Sequence, residues 1–561
     1  VPDEPTSAPL DPNAFDAWAR EAADSWQRTR VFDEVARRWA DPEASADQRA
    51  LAAVWGAPGG LASIDDLTAL VDDPAVDDVL RARLRATLAV STVDADPDGA
   101  MALALAAVEG SAGAPIRTRL GIWLTAGEVH QRANRPDVAM RLLGDAGEAV
   151  KNDPDAPAWA FVAIDAERLG IAAPRSQNRA QFAASVEKVA DAARALPPTP
   201  TVVDVLVKLG TLLSALGAAP RAEIYMEAVL AATVDVPEAR AARFRALLVL
   251  ADARFAVGEG DAAREAQREA IATIEPLGAS PMLGWARRGL AVQLRADDRH
   301  AESVEEFEAA AEAYFEIGAP ADAAMLRVEA AAALLQASDS EAAHSRVNDV
   351  LESLDDLADE QRIGVEVRAN EVLAQVATTE GDLETAAEHW LEVADLASRI
   401  ELSPLDAILA AAQLFAADGD LDESTAQFFR AELAAADERD PARASARVMR
   451  IRAETLRDAG HPEEAAEMAR IAANHARAGG DEAQAVYLAV IAADSMHAAG
   501  DSAAAVQLYT ETLAGEHIAA MPALQGAVHA GFAKLLHDLG RHAEAEVHDA
   551  EAARLGVGDG S

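Results

Sequence analysis

Arginine is the residue type best placed to do chemistry in this sequence, and that chemistry is the gripping of carboxylates. Eight side chains are expected on one face of successive helical segments: Arg245, Trp285, Arg288, Arg295, Arg368, Arg447, Arg450 and Arg457. A guanidinium is planar, permanently charged and able to hold a carboxylate through two parallel N–H donors. Such a face suits an acidic peptide or a chain's C-terminus. Asp252, Glu371, Gln375, Glu454 and Asp494 are interleaved with the arginines. Pairing between neighbouring segments is therefore the competing use of the same charges, as Arg450 and Glu454 would pair at i,i+4.

Other chemistry lacks its residues. No lysine follows a glycine, so the phosphate-cradling Gly-Lys-Ser/Thr loop is absent. There is no His-Glu-x-x-His zinc helix, no Gly-x-Ser-x-Gly elbow and no Gly-x-Gly-x-x-Gly turn. With no cysteine, disulfides, thiol nucleophiles and thiolate metal sites are excluded. Histidines gather near the C-terminus at His529, His537, His542 and His548. His529 and His537 stand two helical turns apart, too far to chelate directly, with Asp538 and Asp549 nearby. We read the four as surface or packing groups, and Trp123, Trp159, Trp285 and Trp390 as core wedges. No catalytic residue, metal or cofactor is assigned.

The elements that carry these residues are expected to be helices. Aromatic residues make up only 4% of the 561, alanine is abundant, and alanine is the strongest intrinsic helix former. Net charge is −46, from 95 acidic and 49 basic residues, which repels nucleic-acid phosphate and anionic lipid. Only Lys151, Lys188, Lys208 and Lys534 are lysines, an arginine bias expected of a GC-rich bacterial genome. The start, Val1 to Pro12, is acidic and proline-rich, without the parts of a signal peptide, and no apolar run is long enough to span a bilayer. The chain as given reads as cytoplasmic.

A repeat near 40 residues orders the helices. Glycines at 217, 258, 381, 419, 460, 500 and 540 sit between helical patterns, and Asp298 and Ser338 fill the two missing beats. The steps are 41, 40, 40, 43, 38, 41, 40 and 40 residues, too regular for independent loops. Seven residues before each beat stands a small residue: Gly210, then alanine at 251, 291, 331, 374, 412, 453, 493 and 533. Five residues after it stands another: Ser303, Ser424, or alanine at 222, 263, 343, 386, 465, 505 and 545. Helices of a hairpin approach closely only where side chains are small. Larger residues such as Leu213, Leu294, Phe415, Met226, Phe307 and Phe428 fill the space around each contact.

This pattern resembles the tetratricopeptide repeat. The clearest copy is Trp123, Gly127, His130, Ala139, Leu143 and Ala146, and the resemblance covers roughly residues 80–553. The period is near 40 instead of 34, and the consensus tryptophan, tyrosine and closing proline are mostly absent. Longer repeats of this kind are similar to the sensor solenoids of bacterial signalling regulators. Some family members clamp terminal carboxylates with lysine, asparagine and arginine at set slots, but here the asparagines are missing.

The expected fold is all-α, a right-handed superhelical solenoid of stacked antiparallel helix pairs. Residues 1–12 are expected as a disordered tail and 13–80 as a helical cap, with Phe15, Trp18, Ala22, Trp26 and Val31 on one stripe. Residues 81–555 are expected to form ten to twelve pairs, and 556–561 a flexible tail. The expected function is a non-enzymatic scaffold or adaptor holding a protein or peptide in its concave groove, with no nucleic acid and no membrane. The alternatives are a ligand-sensing solenoid that signals through a separate partner, and an unrecognised enzyme. Composition fixes neither the partner nor the oligomeric state.

Overall fold

Each repeat is punctuated by a local device. A glycine ends one helix in the left-handed conformation, and an aspartate follows it at Gly381-Asp382, Gly419-Asp420, Gly480-Asp481 and Gly500-Asp501. The aspartate N–H donates back to the outgoing helix, as Asp382 does to the Ala377 carbonyl at 2.9 Å. Its carboxylate then accepts from an N–H of the incoming helix, 3.1 Å from Thr385 N. One residue thus satisfies orphan groups of two helices. Asp298 and Ser338, the two beats without glycine, also take positive φ, 58° and 64°. Position, not residue type, sets that turn.

A computed structural model describes residues 12–25, 27–57 and 60–556 of the chain. The expected tails fall outside these residues, apart from Pro12, which opens the first helix, and Gly556; Trp26 is also outside. The described residues contain helices and short 3-10 turns and no strand, so the fold is all-α. Close packing divides the chain into two units, Val1–Asp298 and Arg299–Ser561.

The first unit begins with α1 (Pro12–Asp24), α2 (Arg28–Trp39), α3 (Ala46–Gly56), α4 (Ile64–Asp72), α5 (Asp78–Thr92), α6 (Pro97–Gly110), α7 (Ile116–Arg132) and α8 (Pro136–Lys151). It continues with α9 (Ala160–Ala172), α10 (Arg179–Arg194), α11 (Pro200–Ala215), α12 (Ala219–Ala232), α13 (Arg240–Ala256), α14 (Gly260–Ile274) and α15 (Pro281–Ala296). The second unit begins with α16 (His300–Glu316), α17 (Pro320–Gln336), α18 (Ser340–Glu352), α19 (Asp359–Glu380), α20 (Leu383–Arg399), α21 (Leu405–Asp418) and α22 (Leu421–Ala435). It ends with α23 (Pro441–Asp458), α24 (Pro462–Ala478), α25 (Glu482–Ala498), α26 (Ser502–Leu513), α27 (Pro522–Asp538) and α28 (His542–Arg554).

Within each unit consecutive helices pack as hairpins, and the odd-numbered helices also pack on one another. α3, α5 and α7 form such a row in the first unit, and α21, α23, α25 and α27 in the second. The expected small slots lie at the hairpin contacts: all eighteen are buried, none of the alanines or serines more than 3% exposed. The early copy packs the same way, with Trp123, Gly127, His130, Ala139, Leu143 and Ala146 all buried. Tetratricopeptide-like helix pairs are therefore the repeating unit of the fold.

Ala453 packs in a layer with Ala469, Ala472 and Ala473. Ala453→Leu should overpack that one hairpin and cost about 1–3 kcal/mol, the usual range for added core volume. Hydrogen exchange should quicken in α23 and α24 and stay slow in α11 to α14, because each repeat is held mainly by its neighbours. Equal quickening throughout the chain would mean that the repeats unfold as one body.

Candidate functional site

Three of the expected arginines face carboxylates one repeat away. Arg245 on α13 pairs with Asp204 on α11, and Arg447 on α23 lies 2.5 Å from Asp406 on α21. Each of these pairs joins the same slot of two successive repeats, 41 residues apart. Arg368 on α19 donates to Glu329 on α17 at 2.8 Å and to Glu371 at 2.7 Å. Burial would weaken its hold on its proton, but those two carboxylates raise its pKa. Arg450 donates to both oxygens of Glu454, at 3.1 and 3.0 Å, and Arg457 lies 2.9 Å from Asp458. Five of the eight residues are thus engaged by carboxylates, three of them across repeats and two within α23.

The eight are divided between the two units: Arg245, Trp285, Arg288 and Arg295 belong to the first, and Arg368, Arg447, Arg450 and Arg457 to the second. Trp285 is 53% exposed, so it is no core wedge; Trp123 is buried, and Trp159 and Trp390 are half-buried. Arg288 is exposed and makes no ion pair or side-chain hydrogen bond among the described residues.

Two of the eight meet at the N-terminal half of α23. Arg443, Arg447 and Arg450 follow one another at helical spacing and line a hollow of about 540 Å³ with His475, Asp481 and Gln484. An adjoining hollow of about 470 Å³ shares Asp440, Arg443 and Arg447 and adds Ser403, Asp406, Glu438 and Arg439. Four arginines and four carboxylates therefore line the place, on a chain whose net charge is −46.

The carboxylates are all committed. Asp440 caps α23, accepting from Arg443 N at 3.2 Å, and Asp481 caps α25, accepting from Gln484 N at 3.0 Å. Asp406 holds Arg447, and Glu438 accepts from the Ser403 hydroxyl. Beside them Tyr487, 43% exposed, donates to Glu454 at 3.1 Å. Burial and the Glu454 charge both raise the Tyr487 pKa, so the phenol keeps its proton. By contrast, the exposed Arg439 and Arg443 side chains have no ion pair or hydrogen bond among the described residues. Forked, unused N–H donors are what remains for a ligand, and their chemistry selects an oxyanion.

Arg439 and Arg443 were not on the expected face, which stopped at Arg447. Carrying the helical spacing one turn further towards the start of α23 reaches Arg443, so the signal was present in the sequence.

The C-terminal histidines form pairs. His529 and His548 meet Nδ1 to Nδ1 at 2.7 Å, one ring donating to the other, and His537 lies 2.9 Å from Asp549 and 3.2 Å from His542. Among the described residues no group of three His, Cys, Asp or Glu could hold a metal ion. Burial lowers the pKa of both His529 and His548, and at His548 the His529 charge adds to it. Unfolding therefore takes up protons at slightly acid pH. The stability from this pair is fully present above the ordinary histidine value of 6.5 and is lost as pH falls through the two lowered values. Protection factors in α27 and α28, corrected for the slower intrinsic exchange at lower pH, should fall from about pH 7 to about pH 5 in wild type and fall less in His529→Gln, which keeps only His548. An equal fall in the variant would contradict that origin.

The fold and this site define an all-α array of tetratricopeptide-like helix pairs with an arginine-lined hollow in the second unit. No family model matches the chain, and neither does any curated protein. Among solved structures it is similar to the apo form of the quorum sensor NprR from B. thuringiensis, with 12% identity, TM-score 0.37, and 71% of this chain and 97% of that one covered. It is similar to the apo form of RapI, with 10% identity, TM-score 0.38, and coverage of 60% and 98%. Aspartyl phosphate phosphatase F from Bacillus subtilis shares 9% identity, with TM-score 0.34 and coverage of 64% and 96%. TM-scores this low carry no argument about activity or partner. No described helix is long and apolar enough to cross a membrane.

Proposed function

We propose that the protein is a non-enzymatic interaction scaffold whose second unit holds an acidic segment of a protein partner at the start of α23. One observation carries this reading. In the hollow every lining carboxylate is committed to a cap, an arginine or a serine, while the Arg439 and Arg443 side chains have no partner among the described residues. Two free forks beside the half-engaged Arg447 and Arg450 match successive carboxylates of an extended acidic peptide.

Fluorescence anisotropy with labelled hexapeptides tests the reading. A peptide rich in Asp and Glu should bind and should weaken as salt rises from about 0.05 to 0.5 M, because exposed charges are screened. A lysine-rich peptide of equal length should not bind. Preference for the lysine peptide would show that the acidic exterior, and not the hollow, recruits the partner.

A further inference from the structure

A second hollow, in the first unit, has a different character. It encloses about 460 Å³, within the range of small-molecule pockets. Its walls come from α3, α5 and α7, which pack in a row, and from Arg20 on α1. Trp55, Val90 and Ile122 give it an apolar side. Arg20, Arg83 and Arg117 give it a charged one.

Asp16 accepts from Arg20 at 2.8 and 2.9 Å, from Arg83 at 2.8 Å and from the Trp55 indole at 3.0 Å. One carboxylate thus serves two guanidiniums. Arg117 has its own partner in Asp24, and Glu128 at the rim lies 3.7 Å from Arg132, which is itself paired with Asp94. The formal charges therefore balance, and what the hollow offers is unused N–H donors. The Arg83 side chain is only 12% exposed, yet one of its five N–H groups has a hydrogen-bond partner among the described residues. Burial lowers its pKa despite the attraction of Asp16, so a further anion would relieve it.

The hydroxyls and the glycine point the same way. The Thr87 hydroxyl donates to the Arg83 carbonyl at 3.1 Å, which leaves its oxygen free to accept, and the Thr125 hydroxyl makes no hydrogen bond among the described residues. Gly121 sits inside α7, where glycine weakens a helix, and a Cβ built on it meets nothing within 4 Å. No packing contact requires the glycine, and its lack of a side chain keeps the hollow open.

We propose that this hollow binds a small organic monocarboxylate, its head taken by Arg20, Arg83 and Arg117 and its apolar body laid against Trp55, Val90 and Ile122. A hollow whose own charges balance, with the Glu128 carboxylate at its rim, repels a monoanion less than a phosphate dianion. The site lies in the other unit from the peptide hollow and does not depend on it.

Calorimetric titration of the full chain tests this with 4-phenylbutyrate, its uncharged amide and phenyl phosphate. The carboxylate should bind saturably, with the amide and the phosphate each weaker by about tenfold or more, the scale of one charge-assisted contact. Gly121→Leu should abolish carboxylate binding while raising the melting temperature, since it fills the hollow and removes a mid-helix glycine. Arg117→Gln, which leaves the apolar wall intact, should weaken binding about fivefold or more. Equal binding of acid and amide, stronger binding of the phosphate, binding unchanged by Gly121→Leu, or no saturable binding by the carboxylate would each overturn the proposal.

Discussion

Asp16→Ala should detach α1 from the rest of the first unit. The variant leaves Arg20 and Arg83 without their shared counterion, and the Trp55 indole without its acceptor. Removing one member of a buried ion pair typically costs about 3–5 kcal/mol, because the stranded charge remains desolvated. Amide exchange in α1 and α2 should become fast while α11 to α14 stay protected. The same contacts predict an acid dependence. Burial would raise the Asp16 pKa, but Arg83 and Arg20 together lower it below 3.8. Stability from this carboxylate is therefore present above its ordinary range and lost only as pH falls through the lowered value. Fast exchange in α1 already at neutral pH in the wild type would show that these bonds do not hold the helix.

The second large effect concerns the peptide hollow. Reversing both free charges, Arg439→Glu with Arg443→Glu, should weaken an acidic peptide by at least about 100-fold, since hydrogen bonds to charged groups contribute about 1.5–3 kcal/mol each. Neither side chain makes an ion pair among the described residues, so melting should change little. Glu305→Gln and Glu463→Gln, at exposed positions on α16 and α24, should leave affinity nearly unchanged. A larger effect from the glutamates than from the arginines would transfer recognition to the acidic exterior.

Much of the fold was legible because it rests on steric rules that act within one repeat. Small residues seven before and five after each beat marked the hairpin contacts, and those residues are buried. The beats at Asp298 and Ser338 were legible from spacing alone, and their left-handed φ shows that the repeat imposes the turn where glycine is absent. The site was less legible because one side chain type serves two purposes. Asp204 with Arg245, and Asp406 with Arg447, occupy equivalent slots one repeat apart and could have been matched by alignment of the repeats. Arg368 could not, since its partner Glu329 is offset by four residues from the equivalent slot. The histidine contacts were also beyond reach, because which ring nitrogens meet depends on how α27 and α28 cross. What marks Arg439 and Arg443 is the commitment of the carboxylates around them, and that appears only when the helices are in place.

The central claim is that the start of α23 receives an acidic segment, and a hydrogen-exchange footprint of the full chain with a saturating Asp/Glu-rich peptide tests it most directly. Exchange should slow only at residues 439–450 and 475–484, with α22 and α26 unchanged. Slowing on α22 and α26 with none at 439–450 would contradict the claim.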